Sequence, residues 1–486
     1  MQYHSTRGLT PCVDSADAVL LGLASDGGLY MPQAIPDFDW EKCVMKDTFG
    51  IATQILSAFL PDILEMEDLV RRAYAGKFQT EDLTPTTAVG DFTVLELFHG
   101  PTAAFKDVAL CMLPQLMTAA KQVKGMQKDI LILTATSGDT GKAALEGFRD
   151  VPGVGICVFY PHGGVSKVQR AQMVTQKGNN VHVCGVEGNF DDAQTGVKRI
   201  FAVCQKEGLL VDRNFQLSSA NSINIGRLAP QVTYYFKAYR DLLSRGQIAM
   251  GQQVNFCVPT GNFGDILAGY LAKLLGLPVG RLICASNSNR VLTDFIRTGV
   301  YDRNRQLHKT ISPSMDILVS SNLERLLYLL SDGDTRLVAQ LMSDLEEKGS
   351  YTVPQPLLEK IQQAFWADYC TDEQAMQTIS DVWSKHSYLC DPHTATGWAV
   401  AQRYIDQTGD DRPMVVLATA SAYKFPGAVL QAIGGSCHED EFAQMDTLQA
   451  ITQQPIPGNL AALRDLPERH TGVIAKEQML AFVLER

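Results

Sequence analysis

The middle of the chain alternates short apolar runs with amphipathic segments, and that alternation limits its possible folds more than any other feature. The runs at 130–135, 155–160, 181–186, 254–258, 281–285 and 414–419 have the length of buried strands. Between them lie 167–177, 192–206, 223–243, 265–275 and 289–297, where apolar residues recur at helical spacing. Strands joined through helices become parallel neighbours, and a parallel sheet needs helices over both faces. The expected class is therefore α/β, with parallel or mixed sheets. Ligands of such sheets bind beyond the carboxyl ends of the strands, so the residues following each apolar run are where chemistry is expected.

The flanks read differently. The first ninety-five or so residues are mainly helical, with turn signals at Asp26-Gly27-Gly28 and Pro32. Residues from about 300 to 390 are helical and charged (323–330, 335–348, 372–385), as in an insertion or cap. After Gly434 come polar and proline-rich stretches with a peripheral character.

Several function classes fall away on composition. With 42 basic against 53 acidic residues the net charge is −11, which excludes binding nucleic acid by general attraction to phosphate. No run approaches the ~20 apolar residues of a membrane span. The opening residues, Met1 to Gly8, hold no apolar segment, so a cytoplasmic location is expected. The eleven cysteines are scattered, with no CxxC pair and no HExxH, so neither a zinc site nor a disulfide framework is expected. No metal is expected.

Five segments follow strands or open helices and carry polar chemistry. Pro-Thr-Gly-Asn-Phe-Gly-Asp at 259–265 places two glycines three apart before a helix, so its amides and the helix N-terminus could meet a phosphate. A plain strand-to-helix turn fits it equally, with Asp265 as helix cap. Thr-Ser-Gly-Asp-Thr-Gly at 136–141 is either a hydroxyl-rich anion site or a turn capped by Asp139 or Thr140. In His-Gly-Pro-Thr-Ala-Ala-Phe-Lys-Asp at 99–107, Lys106 stands between an aromatic and an acid. A lysine pressed against apolar surface loses its proton more easily and becomes an amine nucleophile, whereas a lone lysine is usually a solvated charge. Asn221-Ser222-Ile223-Asn224 with Arg227 offers amides, a hydroxyl and a guanidinium to an anion. Leu417-Ala418-Thr419 ends the last core strand with a hydroxyl.

Taken together, these strings resemble the threonine synthase family, pyridoxal-phosphate enzymes of the type II (tryptophan-synthase-β-like) fold. Ser5-Thr6-Arg7-Gly8, Asp26-Gly27-Gly28-Leu29-Tyr30, the run from Val186 to Asp192, and Asp391-Pro392-His393-Thr394 add to the likeness, which extends from residue 5 to about 427. The resemblance implies an N-terminal lobe (1–95), a large cofactor-binding domain (96–125 and 236–434, with the helical insertion at about 300–390), a small α/β domain (126–235) and a C-terminal tail (435–486). It implies that Lys106 carries pyridoxal 5'-phosphate as a Schiff base, and that Gly261, Asn262, Phe263 and Gly264 hold the cofactor phosphate. Asp139 would lie near the phenolic oxygen and Thr419 would face the pyridine nitrogen. Thr136, Ser137, Thr140, Asn221, Ser222 and Arg227 would grip the substrate.

The implied activity is that of a lyase of threonine biosynthesis. It takes O-phospho-L-homoserine and water to L-threonine and phosphate by γ-elimination and β-addition. The alternatives are a related phospho-lyase giving 2-oxobutyrate, or a non-catalytic phosphate-ligand binder. A small-molecule substrate, no nucleic acid, no membrane, and a monomer or homodimer complete the expectation. His99, His162 and His393 read as structural, since one lysine can shuttle every proton. The family's Thr-Ala-His-Pro-Ala-Lys-Phe string appears here as Thr419-Ala420-Ser421-Ala422-Tyr423-Lys424-Phe425, so no role of that histidine carries over.

Overall fold

The computed structural model describes every residue from Met1 to Arg486 except Ser137. Two sheets organise it. The larger has six strands in the order Phe365–Tyr369, Val279–Ser286, Val254–Pro259, Met414–Ala418, Phe92–Glu96 and Thr86–Val89. All neighbours are parallel except the last pair, a hairpin turned at Gly90. The smaller has five parallel strands: Val473–Ile474, Val181–Val186, Val154–Pro161, Asp129–Ala135 and Phe215–Ser218. The central strands are apolar at almost every position because helices cover both faces. Thus the α/β class read from the alternation is the one found.

The cores follow from this layering. Tyr235, Phe256 and Leu282 pack on one side of the large sheet, and Cys257, Val416 and Trp398 on the other. The small sheet buries Leu133, Phe159 and Cys184 against Ile200, Met479 and Val483. The N-terminal residues add a separate three-stranded sheet, with Gln2–Ser5 between Val13–Asp14 and Tyr30–Pro32.

Three local departures from the sequence reading have physical causes. The stretch read as a helical insertion also contributes the edge strand Phe365–Tyr369 of the large sheet. Those five residues directly follow the Gln355–Ala364 helix and carry no turn signal. The C-terminal stretch likewise supplies a strand, Val473–Ile474, and the Met479–Leu484 helix. The Lys106–Val123 helix holds Pro114 in its interior, where proline ordinarily breaks or kinks a helix, yet runs through it. Proline removes one intrahelical bond, to the carbonyl four residues back, Leu110. That carbonyl faces Gly147 of the Asp139–Phe148 helix, and a Cβ at Gly147 would lie 1.9 Å from it. Close packing against a neighbouring helix therefore covers the interruption.

Among the described residues no helix is long and apolar enough to cross a membrane. Among the described residues no group of three or more His, Cys, Asp or Glu could hold a metal ion.

Candidate active site

The loop before Lys106 is shaped by its own residues. Asp107 accepts from the Thr102 amide (2.9 Å) and from the Thr102 hydroxyl (2.5 Å), folding residues 102–107 into a tight turn. A Cβ at Gly100 would come within 2.5 Å of Asp107, so this position must be glycine. Ala103 adopts φ +57°, a strained value for a residue with a Cβ. Two elements hold the loop from outside. The Phe105 amide donates to the Thr419 carbonyl (2.8 Å) and the Ser421 amide to the Ala103 carbonyl (3.1 Å). The Tyr234 hydroxyl donates to the Phe105 carbonyl (2.6 Å). Lys106 thus begins its helix in a fixed position, directly beside the end of the central Met414–Ala418 strand.

Lys106 is enclosed by protein while keeping part of its surface accessible, as befits a side chain in a crevice. Burial is the largest cause of its lowered proton affinity, pushed down to about 8. Asp139 opposes the shift, whereas Lys424 and Arg227 reinforce it. These groups come from both sheets: Asp139 opens the helix after the Asp129–Ala135 strand, and Lys424 follows the Met414–Ala418 strand.

Asp139 and Lys424 form a buried ion pair at 2.5 Å. Lys424 also donates to the Thr102 carbonyl (3.0 Å). Burial raises the Asp139 carboxyl's proton affinity, but the cations of Lys424 and Lys106 outweigh this and hold it down at about 2. Asp107 is pushed up to about 6 by burial, which outweighs its bonds from Thr102 and the charge of Lys424.

Arg227 is buried, with one guanidinium nitrogen on the Ala220 carbonyl (2.9 Å) and its Nε without a partner. Burial lowers it to about 10. A buried donor left unsatisfied costs about 1–3 kcal/mol, which an incoming anion would relieve. The 259–265 loop has matching features. The amides of Asn262 and Phe263 find no acceptor among the described residues, and Phe263 stands at φ +62°. The carbonyls of Gly261 and Asn262, in contrast, are held by Ser320 and Asn322.

The remaining expected residues divide. Ser222 is joined to the phosphate-type loop through Asn322, whose Nδ2 reaches both the Ser222 and Asn262 carbonyls. Asn221 is exposed, Thr140 is half-buried in the first turn of its helix, and Thr419 is buried. The Thr136 hydroxyl is engaged inside its own loop, donating to the Gly138 carbonyl and accepting from the Gly138 and Gly141 amides. Ser137 lies outside the described residues.

Sequence reasoning missed Lys424 as part of this centre. The signal was present, because the lysine survives in the altered Thr419–Phe425 string. It also passed over Asn322 and Arg325, which lie in no matched string. His393 behaves as a structural residue. Its Nδ1 donates to Asp391 (2.6 Å) and its Nε2 accepts from the Ser314 amide (3.1 Å), which fixes a neutral tautomer. Ser421, where the family string has histidine, accepts from the Tyr423 amide and caps the following turn.

The cleft therefore offers one amine of lowered basicity, an orphaned guanidinium nitrogen, free loop amides, and a cationic excess of Lys106, Lys424 and Arg227 over Asp139. That set fits an aldehyde carrying a phosphate dianion.

Comparison with known proteins points the same way. Family models match residues 2–74 (threonine synthase N terminus), 83–420 (pyridoxal-phosphate dependent enzyme) and 394–483 (threonine synthase, C-terminal). The threonine synthase of Pseudomonas aeruginosa is 40% identical over 479 residues, 97% of this chain and 95% of that one. The human threonine synthase-like 1 protein is 42% identical over 436 residues, and the matched part spans 58% of that longer relative. Among solved structures, the PLP-bound threonine synthase from Brucella melitensis superposes with a TM-score of 0.88 at 40% identity, covering 100% of this chain and 98% of that one. The yeast threonine synthase gives 0.88 at 33% identity with the same coverage.

Proposed function

Since the chain belongs to the threonine synthase family of pyridoxal-phosphate-dependent enzymes, we propose that it converts O-phospho-L-homoserine and water to L-threonine and inorganic phosphate. Pyridoxal phosphate, when bound, supplies an electron sink that lets the substrate lose protons from carbon. The chain's own residues do the rest. Lys106 Nζ would hold the cofactor, and the same amine is the group that would take the proton from the substrate Cα. An amine near 8 is suited to this, because neutral and protonated forms are both accessible near neutral pH.

Arg227 and the hydroxyls of Ser137, Thr140 and Ser222 bind the substrate anions, and the amides of Gly261 to Gly264 hold the cofactor phosphate. Thr136 contributes by keeping its loop in shape. Asp139, ionised and paired with Lys424, sits in this reading near the cofactor's phenolic oxygen. Thr419 would offer the cofactor ring a neutral hydroxyl rather than a carboxylate. A cytoplasmic enzyme, monomeric or homodimeric, goes with this reading, as does the four-part domain division expected from the sequence.

The observation that carries the proposal is the enclosed, weakly basic Lys106, close enough to Asp139, Lys424 and Arg227 for their charges to act on it. The test is incubation of the purified protein with O-phospho-L-homoserine, measuring threonine, 2-oxobutyrate and phosphate together. Threonine and phosphate in equal amounts are expected, with both lost in Lys106→Ala. Predominant 2-oxobutyrate would replace the reading with a phospho-lyase, and absence of the cofactor's absorbance band would overturn it altogether.

A further inference from the structure

Two strings singled out in the sequence have no part in the chemistry above: Ser5-Thr6-Arg7-Gly8 and Asp26-Gly27-Gly28-Leu29-Tyr30. Both lead to the Leu323–Leu330 helix. Thr6 donates to Glu324 (2.6 Å), and Arg7 makes a two-pronged contact with the same carboxylate (3.0 Å each). The Tyr30 carbonyl accepts from Nε and one terminal nitrogen of Arg325 (3.2 Å each). Arg325 is fully buried and touches no carboxylate directly. Its other contacts are the Ile223 carbonyl and the Asn322 Oδ1, each at 2.5 Å. A buried guanidinium is costly unless its donors are used; here they go to three separate chain segments.

Asn322 is fully buried too, and Arg325 fixes which way its amide faces. With Oδ1 accepting from Arg325, Nδ2 must point the other way, where it donates to the Asn262 carbonyl (3.1 Å) and the Ser222 carbonyl (3.2 Å). The Asn322 backbone amide donates to the same Asn262 oxygen (3.1 Å), and the Ser320 hydroxyl to the Gly261 carbonyl (2.8 Å). In a trans peptide the carbonyl and the following N–H point in opposite directions. Pulling the Gly261 and Asn262 carbonyls toward residues 320–322 therefore turns the Asn262 and Phe263 amides to the opposite side, where they meet no acceptor among the described residues.

We propose that Asn322, braced by Arg325, is a positioning residue that aims the Asn262 and Phe263 amides at the cofactor phosphate and ties that loop to the substrate-gripping segment at 221–224. This assigns a task to the 300–390 region and rests on the functional reading given above. The phosphate loop and the substrate segment share one side chain, so each stabilises the geometry the other needs.

The test uses the full chain, resolved with hydroxylamine and reconstituted with either pyridoxal phosphate or pyridoxal, followed by absorbance. In Asn322→Ala, the dissociation constant for pyridoxal phosphate should rise at least tenfold while that for pyridoxal changes less than twofold. KM for O-phospho-L-homoserine should rise at saturating cofactor. Ser320→Ala, a gentler change, should show the same selectivity at about threefold, and carries the test alone should Asn322→Ala not fold. Equal losses for the two vitamers, or no loss with either variant, overturn the proposal and leave the functional reading standing. A wild-type chain that takes up neither vitamer overturns both.

Discussion

Lys106 works in the company of three other buried charges, and its behaviour should report on each of them. The neutral amine is the form that attacks the cofactor aldehyde. Burial and two neighbouring cations lower its affinity for the proton, so uptake of pyridoxal phosphate by the resolved protein should rise with pH to a midpoint near 8. An unperturbed lysine would place it near 10.4. Lys424→Met removes a neighbouring cation and frees Asp139 to attract the Lys106 proton. Both effects push the midpoint upward. The same change removes one of the two lysine cations that keep the buried Asp139 ionised, a loss of stability readable by chemical unfolding at pH 7. For the pair itself the sign runs the other way. The Asp139 carboxyl is held near 2, so its stabilisation is present above pH 4 and lost as pH falls toward 2. Arg227→Ala should raise KM for the phosphorylated substrate at least tenfold with folding intact, since a hydrogen bond to a charged group is worth about 1.5–3 kcal/mol; a change within twofold would remove Arg227 from the substrate site. Lys106 was legible because its whole string carries the turn that positions it: Gly100 for space, Thr102 and Asp107 for the bond. Lys424 was not, because a lone lysine reads as a solvated charge until the fold shows it buried.

At the level of elements, the helices bearing Lys106 and Asp139 are locked together at one point. Gly147 lies against the Leu110 carbonyl that Pro114 leaves without its usual donor. A methyl group there has no room, and the obstacle is backbone, which cannot rotate aside. Gly147→Ala should therefore cost about 3 kcal/mol, at the upper end of overpacking. It should also weaken cofactor binding, because moving either helix displaces Lys106 relative to Asp139. Thermal unfolding and absorbance titration of the same preparation would check both. The strand–helix alternation was legible because it depends on periodicity alone. The passage through Pro114 was not, since it depends on what a second helix brings to the freed carbonyl. The Phe365–Tyr369 edge strand was hidden for a similar reason: nothing in its five residues marks where the preceding helix stops. Asn322 and Arg325 were invisible as site residues, because their contribution is made to backbone carbonyls of distant segments and leaves no pattern nearby.

Across the whole molecule, the ends of the chain finish structures begun elsewhere. Val473–Ile474 extends the small sheet beside Val181–Val186, and Met479 and Val483 cover the Phe190–Glu207 helix. Removing residues 473–486 would expose a sheet edge and two buried side chains worth about 1.5–3 kcal/mol each. We expect Tm to fall by roughly 5 °C or more, with concentration-dependent aggregation measured by light scattering. The large sheet poses a sharper problem of timing. Its Phe92–Glu96 strand pairs Leu95 with Leu417, about 320 residues later. A ribosome adding roughly 5–20 residues per second needs on the order of tens of seconds to deliver that partner. Through that interval the nascent chain carries Lys106 beside a strand edge that stays open until residues 414–418 arrive, so the strand order makes the catalytic lysine's wall one of the last parts of the large sheet to close.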